Sequence, residues 1–419
     1  MKIVWLCSFS NSKVRDHLEI GIPKIIRWMY KIATGHAPFN TMDFGVWNTN
    51  AIREFEKYDE LELHVISSCS FLKKRLQEFE INGIHYHFYR DEKSEFLKMV
   101  CKQFFKPTND EYKQNRRIIK KLIRQIQPDV VHMIGAENPQ YSLALLDVPH
   151  CIPTIVQLQT LLNDPEFKDN FPIGRANYQY LSSVERKVLL RADYIGTEAQ
   201  KFINIIIERI KPNAKFLSIS IAVGEKINTS IQKKTFDFVY FASDISKSCD
   251  IAVEAFGLAY KKNSSITLDI VGGYTLEYKK QIDEIIDKYG IANAVTFEGH
   301  LATHEDVLFQ IRKSRFALLP LKIDLTSGTV REAMSNGLPV ITTDTGALGT
   351  QQLNKDYQSA LISPKNDCQD IANKMLILLN DPILSESLRL NGYRLQQERY
   401  NNEVVVRKYI ETYKLVLCK

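Results

Sequence analysis

Residues 316–346 read FALLPLKIDLTSGTVREAMSNGLPVITTDTG, and the order of residue types in this stretch decides the fold class. The apolar run 316–320 has strand length and suits a strand covered on both faces. Pro320 forces the chain out of it. Thr329 and Glu332 have capping-box spacing, and Val330, Ala333 and Met334 fall on one helical face. Gly337 stands where a left-handed C-terminal cap belongs, and Leu338 and Pro339 lead into a second strand at 340–342.

The chemical consequence lies in the turn. Thr326, Ser327, Gly328 and Thr329 present backbone N–H groups at the positive end of a helix dipole, and small residues let an anion approach, so a diphosphate fits. Asp324 precedes the turn and Glu332 lies one helical turn inside it. A continuous helix would separate them by roughly 12 Å, but the loop lets both carboxylates face one ligand and accept hydrogen bonds from sugar hydroxyls. Spacing alone equally allows a plain helix cap with two solvated acids.

Outward from this stretch, strand and helix signals alternate along the whole chain. Strands are expected at 3–6, 61–66, 85–89, 130–134, 152–158 and 194–196, with helices at 25–33, 51–58, 141–146, 185–190 and 202–210. After a polar stretch without apolar periodicity at 222–235 the alternation resumes. Strands at 238–241, 268–271 and 295–297 then alternate with helices at 250–260, 276–289, 307–311, 371–379 and 388–398. Such alternation implies α/β architecture with parallel, doubly wound sheets, which bind ligands at the carboxyl ends of their strands. A length of 419 residues exceeds what one core supports, so two domains are expected.

Hydrophobic content of 44% and charged content of 25% are those of a soluble globular protein. The net charge of +6 is modest for the length and does not demand nucleic acid. Seven scattered cysteines form no CxxC pair, metal-ligand spacing or disulfide framework, which points to a reducing compartment and no structural zinc. The apolar run in MKIVWLCSFS is too short for a signal peptide, and no run is long enough to span a membrane.

The order "acid, small-Gly turn, x-x-EA, small-x-GxPVI, xxxxG" in 324–346 resembles the Glu-x7-Glu region of retaining family-4 glycosyltransferases, and the resemblance runs from 238 to about 399. Asp324 stands at the first Glu, which in that family contacts the donor sugar. Glu332 matches the second, which contacts the ribose hydroxyls. The resemblance implies the GT-B fold, two Rossmann-like domains facing across a cleft that is the active site. These would be an acceptor domain at 1–222, a nucleotide-sugar domain at 223–400, and a final helix at 401–419 crossing back onto the first.

Other positions carry parts of the pattern. In SDISKS (243–248), Lys247 matches the family's diphosphate-binding Lys, Ser243 stands at its Arg and Ser248 at its Gly. A hydroxyl cannot replace the planar fork of Arg. Gly272-Gly273 corresponds to the turn lining the nucleotide, with Gly272 the better match, although two glycines alone often mark only a turn. His300 lies in the segment that typically holds the base edge, or is a loop histidine. In HMIGAENPQ (132–140), Glu137 ends a strand in a turn resembling the "GTEYP" turn of bacterial surface-polysaccharide enzymes. Gln159 stands where many relatives carry a His. The loop SFSNS (8–12) is polar and small but lacks the usual paired glycines.

Residues 96–124 combine apolar side chains with nine Lys/Arg against two acids. This is either an ordinary surface helix or a contact with an anionic bilayer and a lipid-linked acceptor. Together these features imply a retaining hexosyltransferase. It would take a UDP- or GDP-linked sugar as co-substrate and a saccharide acceptor, with no cofactor, no metal and no nucleic acid. Lys247, Gly272, Ser327, Gly328, Thr329 and Glu332 would bind the donor, and Asp324, Glu137 and Gln159 would serve the reaction. Absence of an Asp-x-Asp triplet fits the lack of metal. The expected location is cytoplasmic, at the inner face of the membrane. A non-catalytic GT-B paralogue and a nucleotide-sugar hydrolase or epimerase are the competing readings.

Overall fold

The computed structural model describes residues 1–34, 43–92, 111–170, 175–224, 233–242, 247–322, 328–345 and 353–418. The chain divides into two compact units. The first comprises Met1–Met29, Pro38–Ala222 and Asn402–Lys419, and the second Tyr30–Ala37 and Val223–Asn401.

In the first unit the strands are β1 (Lys2–Leu6), β2 (Glu62–Cys69), β3 (Leu76–Ile81), β4 (Ile84–Arg90), β5 (Val130–Ile134), β6 (Thr154–Gln157), β7 (Tyr194–Gly196) and β8 (Phe216–Leu217). They lie in the order β3-β4-β2-β1-β5-β6-β7-β8. All neighbours are parallel except β3 and β4. β5 is buried at every position, as a strand covered on both faces must be, which is why it reads as an unbroken apolar run. The order reverses between β1 and β5, so their carboxyl-end loops, 7–12 and 135–138, flank a topological switch point.

The second unit holds β9 (Phe236–Phe241), β10 (Leu268–Val271), β11 (Val295–Gly299), β12 (Ser314–Leu319), β13 (Val340–Thr343) and β14 (Ala360–Ser363). This sheet is parallel, in the order β11-β10-β9-β12-β13-β14. Its switch point lies between β9 and β12.

Sequence reasoning missed three strands, β3, β8 and β14. β3 and β4 form a hairpin whose turn is Asn82-Gly83, both with positive φ, the dipeptide that a two-residue turn demands. β8 is too short to show any period, and β14 carries only four residues.

Two helices also depart from expectation. In the helix Lys24–Thr34, Ile25 and Met29 were expected on a packed face, yet they are exposed together with Trp28 and Ile32, and Tyr30 is buried. Conversely, in the helix Lys113–Ile126 the apolar residues Ile119, Leu122, Ile123 and Ile126 are all buried. The described part of the basic stretch 96–124 therefore turns its apolar stripe inward; residues 96–110 lie outside the described residues.

The final helix, Asn402–Leu417, packs Val405, Val406, Tyr409, Ile410, Tyr413 and Val416 into the core of the first unit. Trp5 Nε1 donates to Tyr413 OH at 2.9 Å, and that hydroxyl lies 2.6 Å from His132 Nδ1. Among the described residues no disulfide joins two cysteines, and no helix is long and apolar enough to cross a membrane.

Candidate functional site

In the second unit the parallel strands share one carboxyl edge, so Lys247, Gly272, His300 and Lys322, each just past its strand, are delivered to one side by topology. Lys247 and the end of β12 flank the switch point between β9 and β12. Lys247 is half-buried and one residue ahead of Ser248, the N-cap of the helix Cys249–Tyr260. Ser248 adopts φ 61° and ψ 55°, is fully buried, and its hydroxyl has no hydrogen-bond partner among the described residues. That left-handed backbone is the conformation glycine favours, which accounts physically for Gly at the corresponding position of the resembled pattern.

Asp324, Ser327 and Ser243 lie outside the described residues. Asp324 and Ser327 precede the helix Gly328–Ser335. Its first N–H groups, those of Gly328 and Thr329 among them, lack partners within the helix, as at any helix start. Thr329 was expected to cap this helix with Glu332 reaching back to it. Instead the helix begins one residue earlier, so Thr329 lies in its first turn with a buried hydroxyl that has no partner among the described residues. Glu332 is drawn elsewhere: its Oε1 lies 3.2 Å from His304 Nε2.

His304 was missed. It opens the helix His304–Ile311, whose start is held by a capping box between Thr303 and Asp306. The spacing Thr-x-x-Asp was legible and would have moved attention from His300 to His304. A second missed residue is Lys322, just past β12, which pairs with Asp250 at 3.1 Å in the first turn of the helix Cys249–Tyr260. Gly272 has φ 154°, and a Cβ there would stand 2.2 Å from the carbonyl oxygen of Ala242. Contact of the chain with itself thus already requires glycine at this position.

The first unit assembles a separate group at the carboxyl ends of β5 and β6. Gly135, at φ 90°, turns the chain after β5, and a Cβ on it would meet Tyr141 OH, Asn138 Nδ2 and Gln159 Oε1 at 2.8 to 3.1 Å. The structure therefore brings Gln159 against the turn that carries Glu137. Asn138 Nδ2 donates to Glu137 Oε1 at 2.7 Å. The residue is half-buried, but Oε2 is enclosed and has no partner among the described residues. Burial pushes its carboxyl up to about 7, against the pull of the Glu137, Asn138 and Ala136 N–H donors.

Behind it, Glu185 accepts from Leu162 N, Asn163 N and Asn163 Nδ2 at 2.7 to 2.9 Å, clamping the loop that follows Gln159. Burial pushes Glu185 up to about 8, with the Glu137 charge adding to the rise. A carboxyl poised near neutrality at a strand's carboxyl end can hold or release a proton at working pH. The loop SFSNS is ordered by Asn11, whose side chain caps the helix Ser12–Arg15, rather than by glycines.

Residues 225–395 match the family model described as Glycosyl transferases group 1. A protein of Methanocaldococcus jannaschii named as an uncharacterized glycosyltransferase is 25% identical over 327 residues, 77% of this chain and 86% of its own length. Of solved structures, sucrose-phosphate synthase from Thermosynechococcus elongatus is similar over 100% of this chain and 99% of its own, with TM-score 0.67 and 13% identity. HepE from Anabaena in complex with UDP is similar over 99% and 100%, with TM-score 0.64 and 14% identity. The chain has the GT-B fold, and with the group 1 glycosyltransferase match over residues 225–395 it is a transferase enzyme.

Proposed function

We propose that the chain is a retaining glycosyltransferase that moves a hexose from a UDP- or GDP-linked donor to a hydroxyl of a saccharide, lipid-linked, in surface-polysaccharide synthesis. The observation that carries this reading is the switch point of the second sheet, where one flanking loop bears Lys247 and the other leads into the helix Gly328–Ser335. HepE, similar in fold, has been solved with UDP-glucose, which favours UDP.

In this reading the diphosphate leaves as the anomeric carbon becomes cationic. Lys247 and the N–H groups from Ser327 to Thr329 stabilise the departing charge, so the protein rather than a metal supplies the positive field. Glu332 takes the ribose hydroxyls, with His304 orienting its carboxylate. Asp324 holds the sugar, Gly272 lines the nucleotide, and Glu137 and Gln159 position the acceptor. The enzyme would work at the cytoplasmic face of the membrane.

Contact with an anionic bilayer, expected at 96–124, suits the helix Lys24–Thr34 better. Its exposed Ile25, Trp28, Met29 and Ile32 are interleaved with Lys24, Arg27 and Lys31.

The test is a thermal-shift screen of the full chain against UDP, GDP, ADP and their sugars, repeated with Glu332→Ala. A nucleotide at about 100 times its Kd adds roughly 2.7 kcal/mol to the folded state. A shift with one nucleotide, lost in the variant, supports the donor site and identifies its base. No shift with any nucleotide overturns the reading.

A further inference from the structure

The outer face of β2, β3 and β4 carries a cluster that plays no part in the transferase reading. Strand pairing sets His64 beside His85, Glu78 beside His87 and Glu80 beside His85. Period-two alternation puts Glu62 with His64, His85 with His87, and Glu78 with Glu80 on that face, while Leu63, Val65, Ile84, Tyr86 and Phe88 fill the core on the other.

Four of these residues form one row. Glu62 Oε1 is 2.8 Å from His64 Nε2, His64 Nδ1 is 3.0 Å from His87 Nε2, and His87 Nδ1 is 2.7 Å from Glu78 Oε1. Each contact needs one proton between its two atoms, making three in all. Two neutral imidazoles carry one N–H each and two carboxylates carry none. If His87 donates to Glu78 and His64 donates to His87, then His64 Nε2 and Glu62 Oε1 meet lone pair against lone pair. The row lacks one cation, and the shortfall falls at its Glu62 end.

A third ligand stands at that end. The coordinating atoms of Glu62, His64 and His85 all lie within 4.8 Å of one another. His85 Nδ1 lies 3.4 Å from Glu80 Oε2, which leaves Nε2 for an ion. The side chains of His85 and Glu62 are partly exposed, so Glu62 can swing and the His85 ring, stacked on that of His64 at 4.6 Å, can turn out of the stack to reach ligation at about 2.0–2.2 Å. The open side admits water to complete the shell.

We propose that Glu62, His64 and His85 bind one divalent transition-metal ion of the zinc class, with His87 and Glu80 orienting the two imidazoles. Two imidazoles and one carboxylate suit zinc, nickel or copper rather than magnesium or calcium. The backing hydrogen bonds from His64 to His87 to Glu78, and the 3.4 Å approach of His85 Nδ1 to Glu80, are contacts of the kind that fix a ligating ring. Lys2 Nζ, 3.1 Å from Glu62 Oε1, is the competing cation and must yield. Glu62 opens β2 and His85 lies near the start of β4, at the amino ends of the parallel strands. The ion would therefore sit at the sheet edge opposite the carboxyl-end loops and would pin β2 to β4 rather than take part in transfer.

The test is titration of the metal-free full chain with zinc chloride in competition with a chromophoric chelator, beside His85→Ala, Glu62→Gln, Lys2→Gln and the control His150→Ala. The expected result is one equivalent bound, with affinity lowered at least tenfold in His85→Ala and Glu62→Gln. Affinity should rise in Lys2→Gln and stay unchanged in the control. Zinc should also raise the Tm of the wild type but not that of His85→Ala. No binding, or unchanged affinity and stoichiometry in both ligand variants, overturns the proposal.

Discussion

Glu137 couples the candidate site to stability through one proton. Its folded carboxyl titrates near 7 against an ordinary 4.5 because burial disfavours the charge. The folded state thus binds the proton more tightly than the unfolded chain. This contribution to stability is complete below the ordinary value and is lost as pH rises through about 7. Between pH 4.5 and 8, the wild type should lose about 3 kcal/mol more of its unfolding free energy than Glu137→Gln. Urea melts at both pH values measure this; parallel losses would show that the carboxyl is not desolvated. Ser248 offers the opposite case, in which a substitution relieves a fault. A non-glycine residue held at positive φ costs roughly 1 kcal/mol, and its buried hydroxyl has no partner among the described residues. Ser248→Gly should raise stability by about 1 kcal/mol in the same melts, and a loss would mean the hydroxyl has a partner.

At the scale of elements, period alone could not tell a core face from a free one. The helices Lys24–Thr34 and Lys113–Ile126 both carry apolar stripes among basic residues. Only the second buries its stripe, because it packs in the core of the first unit. If the first helix meets a bilayer, the chain should co-sediment with vesicles containing anionic lipid, and Trp28→Glu should weaken that binding at least tenfold without lowering the Tm. Equal binding by both proteins would place the contact elsewhere. The hairpin of β3 and β4 was legible in Asn82-Gly83. β8 and β14 were not, since two to four residues carry too little pattern to separate a strand from a loop.

Across the molecule, the two ends of the chain meet in one buried row. Tyr413 OH serves both Trp5 and His132, so Tyr413→Phe leaves an indole N–H and an imidazole nitrogen unpaired in the core. Such losses cost about 2–3 kcal/mol. The unfolding transition of the first unit should drop by that amount, and a change under about 0.5 kcal/mol would mean the row is not formed.

What the sequence determined by itself was everything encoded within a few residues. Apolar runs of strand length and caps such as Gly337 declared parallel α/β architecture, and the small residues ahead of Glu332 marked a candidate for phosphate binding. What only tertiary structure decided were the pairings between distant residues. His304 reaches Glu332, Gln159 reaches the Glu137 turn, Lys322 reaches Asp250, and His64 faces His85. Each pairing is set by which strands lie side by side and where their order reverses, a property of the sheet as a whole rather than of any window along the chain.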